Sequence, residues 1–184
     1  MEMLRHGFST LVVLMSVALP PQTDLPLLYT NEDLGFTIRY PENVRPIARD
    51  PRELGRDMGY VLALRFVTAD PQPSTVLTVI ARRPEPPTYP PMELETLRAG
   101  CLGSRDTMVG GRRAVVCVTC GRGACHWAVE VPGTPQFSIS GAPPRNEPES
   151  RDRDIHVKWL LRQPENGAYP VKSMIESIRF RQRR

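Results

Sequence analysis

Most patterned segments of this chain either alternate apolar and polar residues or run apolar on both sides, as strands do. Leu27 to Thr30 and Phe36 to Tyr40 flank the turn-forming residues Asn31 to Gly35, which predicts a hairpin. In its second strand Phe36, Ile38 and Tyr40 share one face and Thr37 and Arg39 the other. Pro41 ends the pair. Residues 41–57 read as charged and irregular, with one helical turn near Pro51 to Leu54. Tyr60 to Thr68 and Thr75 to Ala81 are apolar on both faces and predict central strands covered on both sides. After a proline-rich loop, Leu94, Leu97 and Cys101 mark a helix over 92–102. Asp106 to Val109 and Arg112 to Cys120 flank Gly110-Gly111, a tight-turn signal. Phe137 to Ser140 reads as a short strand and 142–154 as a solvated loop. Ile155, Val157, Trp159 and Leu161 alternate with His156, Lys158 and Leu160, which predicts another strand. Val171, Met174, Ile175 and Ile178 form the stripe of a last helix opened by Pro170, with Lys172 and Glu176 as an i,i+4 pair.

The segment after Cys120 fixes a register. If Cys120 lies opposite Cys125, then Val118 faces Trp127 and Val116 faces Val129, with Ala114 opposite Val131 on the same side. Thr119 and His126, Cys117 and Ala128, and Val115 and Glu130 fall on the other side. A slip of one residue would break this sorting. The register favours a Cys120–Cys125 disulfide. Cys117 points to the opposite face, so its partner is Cys101 on the apolar stripe of the first helix. That helix must then cover the Cys117 face, and the last helix the Trp127 face. The fold class expected is α+β, a three-layer α/β/α sandwich with a mostly antiparallel sheet.

The first residues change the picture of where the protein works. Arg5 and His6 precede an apolar run from Phe8 to Leu19, and Ser16-Val17-Ala18 offers small residues for cleavage. Residues 1–18 read as a signal peptide, 19–26 as a linker and 27–184 as a single domain. The run is too short for a transmembrane span. The expected localisation is export, periplasmic or extracellular, where cysteines oxidise.

Composition adds little beyond this. The chain has 184 residues, 40% hydrophobic and 24% charged, which suits a globular protein. The net charge of +4 comes almost wholly from arginine, with only Lys158 and Lys172 as lysines. So mild an excess is no nucleic-acid signature. Twenty prolines gather between the patterned segments and mark stiff loops.

Tyr29-Thr30-Asn31-Glu32, the run Gly35-Phe36-Thr37-Ile38-Arg39-Tyr40-Pro41 and the end Ile175-Glu176-Ser177-Ile178-Arg179-Phe180, together with the order of elements, resemble the Mog1/PsbP-like family of exported α/β/α sandwiches, which includes the PsbP and DcrB types. That family is mostly non-enzymatic. The resemblance implies a binding or accessory role and no particular substrate; the cysteines and proline loops are not part of its pattern.

The cysteines carry the competing readings. Cys117-Val118-Thr119-Cys120 has redox spacing but lies inside a strand, away from a helix N-terminus that would depress a thiol pKa. A zinc site drawing on these cysteines and His126 lacks a second CxxC or a paired histidine. Cys120, Cys125 and His126 resemble a rare spacing of covalent haem attachment, the alternative being a haem or thiol redox protein. No nucleophile elbow or zinc-protease helix occurs. Gly121-x-Gly123 lacks the third glycine of a dinucleotide site. Glu93 and Glu95 do not share a helix face. Glu147, Glu149, Asp152 and Asp154 alternate with arginines, as solvated loops do. His126 and His156 sit on polar faces. The reading is a non-catalytic exported protein with disulfides at Cys101, Cys117, Cys120 and Cys125, no metal or cofactor, and an unknown protein or envelope partner.

Overall fold

The computed structural model describes residues 25–55, 58–83, 92–121, 124–141, 152–166 and 170–181. The expected signal segment, most of the expected linker and the core of the expected solvated loop lie outside them. The strands are Leu27–Asn31 (β1), Phe36–Tyr40 (β2), Val44–Arg49 (β3), Tyr60–Thr68 (β4), Thr75–Arg82 (β5), Gly103–Val109 (β6), Arg112–Gly121 (β7), Ala124–Val131 (β8), Gln136–Gly141 (β9) and Arg179–Phe180 (β10). The helices are Leu94–Ala99 (α1), Arg153–Leu160 (α2), Gln163–Asn166 (α3) and Val171–Glu176 (α4), with a 3-10 turn at Pro51–Leu54. Two sheets form, one of three strands in the order β1-β2-β10, one of seven in the order β3-β4-β5-β9-β8-β7-β6. All their pairings are antiparallel. Among the described residues no helix is long and apolar enough to cross a membrane.

Local chemistry sets the turns. The Asn31 side chain accepts from the Leu34 amide at 2.9 Å, and Gly35 takes a φ of +65°, so the β1–β2 turn closes on an Asn-to-backbone bond and a glycine. Gly110 and Gly111 both hold positive φ, as the two-residue β6–β7 turn requires. The β7–β8 ladder has Cys120 opposite Cys125, Val118 opposite Trp127 and Val115 opposite Glu130. This is the register that sorts the apolar residues to one side.

That side is the inner face of the large sheet. Leu64 and Phe66 of β4, Leu77 and Val79 of β5, Phe137 and Ile139 of β9, Trp127 and Val129 of β8 and Val116 and Val118 of β7 are all buried on it. The small sheet lies across this face. Phe36 meets Phe137 edge-on with ring centroids 5.2 Å apart, and Tyr40 tilts against Phe66 at 5.5 Å. Met174, Ile175 and Ile178, the predicted stripe of the last helix, join the same core. Ser177 ties the end of α4 to β2 by accepting from the Arg39 amide at 2.9 Å.

Three elements differ from expectation. Residues 155–161 are not a strand. Asp152 accepts from the Asp154 amide at 2.9 Å and opens a helix instead. Val157, Leu160 and Leu161, at i, i+3 and i+4, face the core, while Ile155 is left exposed. A period of two and a period of 3.6 share Val157 and Leu161 over so short a run, and the burial of Leu160 with the exposure of Ile155 separates them. Residues 44–49 form an edge strand, where Val44 alone is buried and Pro46 is tolerated. Arg179 and Phe180 add a strand to β2, placing Phe180 5.0 Å from Phe137. The large sheet is thus faced by a second sheet as well as helices. The coarse class, mixed α and β around mostly antiparallel sheet, stands.

Two substitutions probe these contacts. Ile175→Ala should cost about 2–5 kcal/mol in urea unfolding, the range for truncating a buried isoleucine. A change below about 0.5 kcal/mol, as at surface sites, would mean that α4 is not docked. At Gly103 a Cβ would come within 2.5 Å of Val157 Cγ1 and 3.3 Å of Leu161 Cδ1. Gly103→Ala should therefore destabilise by about 1–3 kcal/mol, the usual cost of overpacking, and Val157→Ala in the same chain should recover part of that loss. Were 155–161 a strand, the pair would act independently.

Candidate functional site

The outer face of the large sheet follows a different rule from the inner one. One row of paired residues crosses it as Ile80, Ser138, Glu130 and Val115, mixing apolar and polar side chains. The first helix covers part of this face. It has six residues and buries only Leu97, so local propensity cannot hold it in place. Three contacts do. Leu97 packs down on the sheet, Cys101 just beyond the helix is bonded to Cys117 of β7, and Arg98 pairs with Asp106 of β6.

Between α1 and the sheet lies a half-open pocket of about 320 Å³, lined by Tyr60, Ile80, Arg82, Thr96, Leu97, Glu130, Gln136 and Ser138 among others. A network runs along its polar side. Arg82 donates to Gln136 Oε1 at 3.2 Å, Gln136 Nε2 approaches Glu130 Oε2 at 3.5 Å, and the Ser138 hydroxyl donates to Glu130 Oε1 at 2.7 Å. Burial pushes the Glu130 carboxyl above the usual glutamate range; the bonds from Ser138 and Gln136 and the Arg82 charge oppose this without cancelling it. A pocket with apolar walls, a few convergent polar groups and a perturbed acid has the form of a small-molecule site.

In the sequence Leu97 and Glu130 stand only as helix and strand positions, and none of these residues is singled out as a site. The register does place Glu130 beside Val115 on the face that the first helix covers. An acid alone on a helix-covered sheet face was the available signal. The four cysteines are joined as Cys101–Cys117 and Cys120–Cys125, with Cα atoms 5.4 and 4.0 Å apart. Cys117 is buried, and Cys120 and Cys125 close the far end of the β7–β8 hairpin on the inner side. His126 is exposed on the outer side, so strand alternation turns it away from that bridge. While the bridge is closed, neither sulfur is available for a thioether. His156 lies in α2 with its ring 5.6 Å from Trp159. Among the described residues no group of three or more His, Cys, Asp or Glu stands together as a metal site.

A second concavity, about 410 Å³, opens where the β1–β2, β6–β7 and β8–β9 turns meet. Arg112 stacks over the Phe180 ring at 4.3 Å, and burial pulls its guanidinium below the usual arginine value. Arg181 pairs with Glu32 at 3.7 Å, and Asp33 lies alongside, so the two signs balance.

No protein-family model, curated protein or solved structure matches this chain.

Because the raised Glu130 value belongs to the folded state, the folded protein holds more protons than the unfolded chain between the ordinary glutamate value and the raised one. Stability contributed by this site is therefore full below that window and falls as pH rises through it. Urea unfolding of wild type and Glu130→Gln across pH 4 to 8 should show the variant gaining relative to wild type as pH increases. A difference independent of pH would show that the carboxyl titrates as in the unfolded chain.

Proposed function

We propose that this chain is an exported, non-catalytic accessory or binding domain that acts by contact with a protein or envelope partner. The observation that carries the reading is the pairing of the four described cysteines in two bridges. Such bridges persist in oxidising compartments and are rare in the cytosol. They agree with the apolar run and small-residue cleavage site at 8–18. The resemblance to Mog1/PsbP-like proteins points the same way, and the α/β/α layering of that family belongs to this proposal. In it the helix carrying Leu97 forms one outer layer and the helix carrying Met174 and Ile175 the other.

The test is a thiol count and non-reducing peptide map of the protein recovered from the export route, with its intact mass and visible spectrum. The expected product lacks residues 1–18, has no free thiol and links Cys101 to Cys117 and Cys120 to Cys125. Reduction should cost roughly 3 kcal/mol for the longer loop alone in the chain-entropy picture. Retention of Met1 with four free thiols would overturn export. A covalent haem on Cys120 and Cys125 would move the protein to electron transfer.

A further inference from the structure

We propose that the pocket between α1 and the outer sheet face binds a small amine, an ammonium group on a short apolar body, with Glu130 as its counter-ion. This is independent of the partner contact proposed above. The volume, about 320 Å³, is at the low end for ligand sites and limits the occupant to a small molecule. Tyr60, Ile80 and Leu97 supply walls for an apolar body.

The polar end is short of donors. Among the described residues, Glu130 Oε1 receives the Ser138 hydroxyl at 2.7 Å, while Oε2 has the long 3.5 Å approach of Gln136 Nε2. An ionised carboxylate accepts about four hydrogen bonds. Gln136 is engaged on its other side, where its Oε1 accepts from Arg82 at 3.2 Å. Of the other charged groups near α1, Arg98 is engaged with both Asp106 and Glu95. Arg82 already acts on Glu130, and burial still outweighs it. A group carrying both positive charge and N–H donors supplies what the site lacks. An anionic ligand would place a second negative charge against a carboxylate that burial already disfavours. A metal ion would find one carboxylate where several oxygen ligands are needed.

The probe is hexylammonium, with hexanol and hexanoate as controls, added to the disulfide-intact protein in phosphate buffer at fixed ionic strength. Binding is followed by methyl NMR at Ile80 and Leu97. Hexylammonium should saturate these shifts, and both controls should bind at least about tenfold more weakly, as expected for loss of a charged hydrogen bond. Glu130→Gln should weaken hexylammonium by a similar factor while leaving hexanol unchanged. Thr96→Phe, at an exposed position on the pocket rim, should block all three if the pocket is where they bind. Equal binding of hexanol or hexanoate, undiminished binding to Glu130→Gln, or no saturable shift in wild type would each overturn the proposal.

Discussion

The constraint on which the structure depends is the continuous apolar inner face of the seven-stranded sheet. Along β4, β5, β9, β8 and β7, alternate residues such as Leu64, Phe66, Val79, Ile139, Val129 and Val116 present apolar side chains to that side and are buried. No sheet keeps such a face in water. The small sheet, α2 and α4 all sit where they cover it. Their attachment is mostly aromatic and aliphatic contact, from Phe36 on Phe137 to Val171 beside Trp127. The β10 strand serves the same end by bringing Phe180 onto Phe137.

The alternation that built this face was plain in the chain. It gave the hairpins, the central strands and the β7–β8 register, and through the register the cysteine pairing. Three parts were not legible. The 155–161 run satisfies two periods at once, and what decides between them is a cap at Asp152 and the need to cover β6 and β8. The β3 edge strand has a single buried residue, so it carries almost no pattern. The β10 pairing depends on where α4 ends, a tertiary matter. The pocket was illegible for a related reason. Alternation assigns Glu130 to a face but says nothing of what lies above it.

The two faces of the large sheet answer to different physics. On the inner face, burial is general and no single contact is decisive. On the outer face, among the described residues, part of the cover is a six-residue helix with one buried side chain. Helices this short do not persist on their own. The hydrophobic contribution of Leu97 is about 1.5–3 kcal/mol at most, comparable to the conformational entropy of fixing one or two residues. The exposed Arg98–Asp106 pair adds little.

What remains is the Cys101–Cys117 bridge, which pins the end of α1 to a buried position on β7. The bridge therefore does more than brace the domain. By holding α1 over the row that contains Glu130, it gives the pocket its roof and keeps the carboxyl partly out of water. The polar network alone would not do this: Arg82, Gln136, Ser138 and Glu130 all lie on the sheet, and without α1 they would face solvent. The sequence feature that points to an oxidising compartment is thus also the feature that creates the site. A short helix, a disulfide and a solitary acid, each unremarkable in the chain, become one unit only in three dimensions.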